Sequence, residues 1–205
     1  NYGHGGEFKV TNFEGSYASN LLSADVPKDD NRSLFNTFCL ERNQALSGIT
    51  NYQRSTTAQT GGINTTAGDP LDDATAKLYY AFWADAWTGG ADYNYDDIGG
   101  TRVDDAANLQ LAIWYLENEV PVAALTSGAS AYVSFANTVT WQQLGQNWTG
   151  TGGVMVLNTF DDAGAHKQDL LVVVPLPPAA LSGLALLGSV ALLGGLRRRR
   201  RRSAS

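Results

Sequence analysis

Alternation of apolar and polar side chains marks the first strands of this chain. Gly6 to Val10 and Leu34 to Leu40 both read as extended. In the second, Leu34, Asn36, Phe38 and Leu40 fall on one side and Phe35, Thr37, Cys39 and Glu41 on the other. Residues 43–70 are rich in Thr, Gly, Asn and Gln and read as loops with a short helix near Gln44. The period then changes to that of a helix. One helix is expected from about Leu71 to Trp87, with Ala74, Leu78, Ala81 and Phe82 as its apolar stripe and Gly89-Gly90 as its end. A second is expected from about Asp104 to Glu119, with Leu109, Ala112, Ile113 and Leu116 at core spacing, stopped by Pro121. Residues 128–141 mix Ala and Ser with Val, Thr and Tyr and leave helix and strand both open. Val154 to Thr159 and Gln168 to Val174 are apolar runs joined by Asp161-Asp162-Ala163-Gly164-Ala165, the pattern of a β-hairpin. Strands at both ends with helices between them predict an α+β domain: a sheet or barrel-like core from N- and C-terminal strands, with the helical part inserted.

Composition adds direction. The chain has 205 residues and a net charge of −6. With the six terminal arginines set aside, the remaining 8 basic side chains face 20 acidic ones, a net of −12. A body of that charge repels nucleic acid and anionic lipid. Five Trp among 10% aromatic residues argue for a packed core. The start, Asn1-Tyr2-Gly3-His4-Gly5-Gly6, reads as an N-terminus from which a secretion signal has been removed.

The C-terminus points the same way. Pro178 to Leu196 is 19 residues without a charge. As a helix it spans roughly 28 Å, the thickness of a bilayer's hydrocarbon core. The arginine run Arg197, Arg198, Arg199, Arg200, Arg201 and Arg202 follows directly and stays cytoplasmic by the positive-inside rule, leaving the body outside. Charge and length alone describe a membrane anchor. The order of Val174-Pro175-Leu176-Pro177, apolar helix and terminal arginines also resembles the PEP-CTERM sorting signal, with Val-Pro-Leu-Pro in place of Pro-Glu-Pro. That resemblance divides the chain into a body, 1–174, and a sorting tail, 175–205. It implies an exosortase-type processing enzyme as partner, transient residence in the inner membrane of a Gram-negative bacterium through residues 178–196, and delivery to the cell surface or a biofilm's extracellular matrix.

Cys39 is the chain's one cysteine, so it has no disulfide partner within the chain. Alone it reads as a small buried hydrophobe. Gln110 alone reads as a helix-surface residue, yet it shares a face with Ala106, Ile113 and Trp114. Together they suggest more: a thiol beside a glutamine carboxamide in a dry pocket can expel ammonia and form an internal thioester. Phe38-Cys39-Leu40-Glu41, followed some 70 residues later by Gln110-Leu111-Ala112-Ile113-Trp114, resembles the thioester domains of bacterial surface adhesins. Leu109 stands where that family usually has Thr. The resemblance implies that Cys39 and Gln110 form the thioester, that Trp114 helps close its pocket, and that the product is a single covalent attachment to an amine or hydroxyl on a surface or polymer; the nearby aromatics Phe38, Trp114 and Tyr115 are candidates to shield it from water. The protein is then no enzyme and needs no cofactor.

Other chemistry is weaker. Of the two histidines, His4 lies in a Gly-rich terminus and His166 in a hairpin turn, which disfavours a cysteine hydrolase, and one cysteine with two distant histidines disfavours a zinc site. Asp92, Asn94, Asp96 and Asp97, and Asp69, Asp72 and Asp73, are acidic clusters better read as solvated loops and helix caps than as calcium sites. The aromatic stretch Tyr79 to Tyr95 reads as core more readily than as a sugar-stacking surface. A non-covalent structural or carbohydrate-binding matrix protein is the competing function.

Overall fold

A computed structural model describes residues 6–10, 35–44, 46–47, 49–59, 68–96 and 101–174, and among them are seven short strands and three α-helices. The chain divides into two units, 1–174 and 175–205. The expected membrane-spanning helix and arginine run lie outside the described residues. Among the described residues no helix is long and apolar enough to cross a membrane.

The fold is α+β with antiparallel sheets. Strand β1 (Phe8–Val10) pairs with β2 (Phe35–Thr37), Phe8 opposite Thr37. Strands β3 (Asn51–Ser55), β6 (Val154–Phe160) and β7 (Leu170–Val173) form a three-stranded sheet with β6 in the middle. Asn51 stands opposite Phe160, and Val154 opposite Val173. Strands β4 (Thr57–Ala58) and β5 (Asp69–Pro70) make a small third pair. Three of these strands fall in the stretch 43–70 read from sequence as loops. They are short, and β3 is mostly exposed or half-buried, so its Asn, Gln, Arg and Ser carry no apolar alternation. The residues described around Gln44 form bends and a turn rather than a helix.

The helices are α1 (Asp73–Ala84), α2 (Arg102–Leu116) and α3 (Ser127–Thr138). Asp72 caps α1, its carboxylate accepting from the Ala74 N–H at 2.6 Å. That helix ends before Trp87, because Asp85 turns left-handed at φ 49° and donates its N–H back to the Ala81 and Phe82 carbonyls. Helix α2 likewise ends before Pro121, where Asn118 takes φ 61°. The ambiguous stretch 128–141 is mostly helix. Thr126 caps it, and Ser130, Ser134 and Thr138 satisfy their hydroxyls on carbonyls four residues back. Ala129, Tyr132, Phe135 and Ala136 form its buried stripe.

Two apolar layers flank the sheet. In β6, Val154 and Val156 face the helical core and Leu157 faces the other way. In β7, Leu171 and Val173 join the helical core, and Leu170 and Val172 the second layer. The segment after β2 obeys the same alternation. Phe38 and Leu40 pack with Phe82, Leu109 and Ile113, whereas Phe35 and Cys39 pack with Leu157, Leu170 and Val172. The aromatic stretch is indeed core: Tyr79, Tyr80, Phe82 and Tyr93 are buried.

Candidate functional site

The segment that leaves β2 runs antiparallel to the start of β7. Leu40 donates its N–H to Asp169 O at 3.0 Å, and Leu171 donates to Phe38 O at 3.3 Å. Cys39 and Leu170 are therefore opposed without exchanging hydrogen bonds, and the main-chain N–H and C=O of Cys39 point away from β7. Among the described residues no strand takes them up; the Gln110 side chain does. The Cys39 N–H donates to Gln110 Oε1 at 2.9 Å, and Gln110 Nε2 donates to Cys39 O at 2.8 Å. A glutamine carboxamide thus completes the ladder edge at the one cysteine.

Both residues are shut off from water, with Gln110 0% and Cys39 4% exposed. Burial in the second apolar layer pushes the thiol up to about 12, and the charge of Glu41 adds to the effect. Helix α2 delivers Gln110 because its buried face also carries Ala106, Leu109, Ala112, Ile113 and Trp114. Anchored there by Leu109 and Ile113, both fully buried, the helix cannot rotate without exposing them.

The other predicted pocket residues divide. Phe38 is fully buried and meets Phe82 edge-on, ring centres 5.0 Å apart. Trp114 is buried, and its indole N–H has no hydrogen-bond partner among the described residues. Tyr115 is half-buried and belongs to neither apolar layer. Val174 closes the body, donating its N–H to Gly153 O at 2.7 Å. Pro175, Leu176, Pro177 and Arg197 to Arg200 lie outside the described residues.

A second group of polar side chains is buried beside the pair, and the sequence reading did not bring its members together. Glu41, 2% exposed, accepts from Gln168 Nε2 at 3.0 Å and from the Asp169 N–H at 3.1 Å, both on Oε2. Asp169 is fully buried; it accepts from the Gln59 and Thr159 N–H groups, and its Oδ1 lies 2.7 Å from His166 Nε2. Glu41 and Asp169 stand 128 residues apart in sequence, so no local pattern signals the pair. Burial, reinforced by the charge of Asp169, holds the Glu41 carboxyl well above the usual carboxylate range. Burial also raises Glu117, at the C-terminal end of α2, from 4.5 to about 7.

These shifts set a sign for the pH dependence of stability. Glu41 and Glu117 keep a proton in the folded protein at pH values where the unfolded chain has released it. Stability therefore falls as pH rises, for Glu117 between 4.5 and about 7 and for Glu41 over a window that begins alike and reaches higher. The melting temperature is expected to be higher near pH 5 than near pH 8, which calorimetry across that range checks; a midpoint that climbs over the interval contradicts it.

Some members of the acidic clusters serve the fold, and Asp97 lies outside the described residues. Asp72 is the α1 cap, and Asn94 bridges to Thr101 and Asp105. Among the described residues no group of three or more His, Cys, Asp or Glu is placed to hold a metal ion. A groove of about 450 Å³ lies between Thr88-Gly89-Gly90 and α3, and none of the site residues lines it. The site thus defines an α+β domain with a buried cysteine whose main chain is clasped by a glutamine side chain. The chain matches no protein-family model, no curated protein and no solved structure.

Proposed function

We propose that this is an exported surface or extracellular-matrix protein that attaches covalently to a partner through a Cys39–Gln110 thioester. The observation that carries the reading is the pair of hydrogen bonds that holds the Gln110 carboxamide on Cys39 inside a dry site. In the reaction Cys39 Sγ attacks Gln110 Cδ, the Cδ–Nε2 bond breaks, and the thiol proton leaves with the nitrogen as ammonia. The Cys39 N–H, already on Oε1, is placed to stabilise the negative oxygen of the tetrahedral intermediate. An incoming amine then displaces the thiol and remains bound to Gln110 as an amide; a hydroxyl leaves an ester. Each molecule reacts once, so this is attachment rather than enzymatic turnover.

The tail supports delivery to the surface: a proline motif, an uncharged segment at 178–196 and a terminal arginine run. In this reading an exosortase-type enzyme processes it at the inner membrane. The segment 178–196 is the membrane-spanning helix, and the strands before and after the helices complete one barrel-like core.

A second reading has a specific observation behind it. Both polar atoms of the Gln110 carboxamide are satisfied by the Cys39 main chain, which is what a purely structural glutamine would achieve. The protein is then a non-covalent structural or carbohydrate-binding matrix component. Intact mass separates the two. The full chain, purified in detergent without amines, is expected to be about 17 Da lighter than its sequence, the ammonia lost on acylation. A full mass with Cys39 titrating as thiol and Gln110 still an amide would support the second reading.

A further inference from the structure

One stretch of the body carries no charge. Residues 120–160 hold no Asp, Glu, Lys or Arg, so all 20 acidic side chains lie elsewhere. Helix α3 lies wholly within this stretch, and none of the residues lining the groove beside it is charged. Asp92, next along from the groove, turns its carboxylate onto the Tyr93 N–H at 2.8 Å. Lys77 gives its Nζ to the Val139 carbonyl at 3.2 Å and does not line the groove. In a body that is otherwise strongly acidic, such a groove suits a neutral ligand. A charged one would shed its hydration and meet no counter-charge there.

The walls are tied together. Trp87 packs on Tyr132 and Phe135 of α3, ring centres 5.4 and 5.3 Å apart, and the Tyr132 hydroxyl donates to Asp92 O at 2.7 Å. The loop 88–91 is thereby held to α3 at both ends. Between the ties, Gly89 and Gly90 take φ 67° and 88°, and a Cβ on either would meet nothing within 4 Å. This wall is bare main chain that a ligand can approach closely. The α3 wall is polar. Ser134 and Thr138 donate their hydroxyl hydrogens to the Ser130 and Ser134 carbonyls, which leaves their oxygen lone pairs as acceptors. Gln143 accepts on Oε1 from both the N–H and the hydroxyl of Thr140, which leaves its Nε2 as a donor. Ala91, Ala131 and Phe135 supply the apolar part of the lining.

We infer that this groove binds a short segment of a neutral glycan. The ligand has to donate to fixed oxygens, accept from an amide, stay uncharged and lay C–H groups on small apolar side chains. Sugar hydroxyls and ring C–H groups meet all four demands. A volume of about 450 Å³ is that of a small-ligand site. A peptide fits less well, because no lining residue belongs to a strand and its main chain would find no ladder to extend. None of the groove residues belongs to the Cys39–Gln110 site, so the inference goes beyond the thioester reading and does not depend on it. It gives the body a non-covalent hold on a polysaccharide.

The test titrates the full chain, in a detergent without a sugar headgroup, and reads the heat of binding. The probes are neutral tetrasaccharides of glucose, mannose, galactose and N-acetylglucosamine. Tetragalacturonate and an uncharged peptide of glycine, serine and asparagine are the counter-probes. At least one neutral tetrasaccharide is expected to bind with a Kd of about 1 mM, and both counter-probes at least about tenfold more weakly. Ala131→Trp plugs the groove from an exposed position on α3, and Gln143→Ala removes the amide donor. The first is expected to abolish binding and the second to weaken it about fivefold, with melting curves at the parental position. If Ala131→Trp fails to fold, Gln143→Ala decides. No heat from any neutral tetrasaccharide, tighter binding of either counter-probe, or parental affinity in the folded variants overturns the inference. The thioester, read separately by intact mass, is untouched by each of these outcomes.

Discussion

Cys39→Ala is expected to abolish methylamine capture completely and to restore the full sequence mass. The alanine removes the sulfur and nothing else. Its main chain still offers the N–H and C=O that Gln110 grips, so α2 stays docked. The size of the stability loss reports on the bond. Removing one sulfur from a buried cluster with Phe35, Leu157, Leu170 and Val172 costs about 1 kcal/mol through lost packing. A thioester would in addition be a cross-link between residues 71 apart in sequence. By the loop-entropy estimate used for disulfides, closing such a loop contributes about 4 kcal/mol. A loss of about 5 kcal/mol in denaturant unfolding thus signals a bond, and about 1 kcal/mol signals a buried thiol. Equal capture by mutant and parent would place the reaction elsewhere and end the thioester proposal.

Gln110→Ala has the second large effect and costs stability under either reading. Without the carboxamide, the Cys39 N–H and C=O face a buried space with no partner. Each unsatisfied group costs about 1–3 kcal/mol. Without a thioester the expected loss is therefore about 3 kcal/mol, a melting point lower by roughly 6–12 °C for a domain of this size; with one, the lost cross-link adds about 4 kcal/mol. Capture is lost as well, and Cys39 becomes alkylatable on partial unfolding. A variant as stable as the parent would show that the two hydrogen bonds do not hold the segment after β2 in place. If Cys39→Ala and Gln110→Ala each lose the cross-link, the double variant should be less destabilised than the sum of the two.

How much of this was readable in advance varies with the element. The hairpin from β6 to β7 was legible, because two apolar runs flank a turn with Asp161 and Gly164, and Asp161 accepts from the Ala163 and Ala165 N–H groups. Helices α1 and α2 were legible in kind but not in extent. Their ends depend on Asp85 and Asn118 turning left-handed, which asparagine and aspartate tolerate without requiring it. Helix α3 was undecided because its hydroxyl residues suit either state until a cap is chosen. Strands β3, β4 and β5 were invisible, being too short and too polar to alternate.

The site shows the same division. Composition and local pattern determined that one cysteine lies on a strand-like segment, that Gln110 lies on the apolar face of a helix, and that an uncharged stretch with terminal arginines follows the body. These are properties of neighbours along the chain, and spacing encodes them. That Gln110 grips Cys39 by its main chain was decided only when α2 packed its Leu109 and Ile113 into the core beside Phe38. The same holds for Glu41 and Asp169, which no local period connects. Their meeting depends on the register between the segment after β2 and the start of β7, where Leu40 bonds Asp169. Hydrogen bonds across 71 and 128 residues arise from packing, and packing is a property of the whole fold.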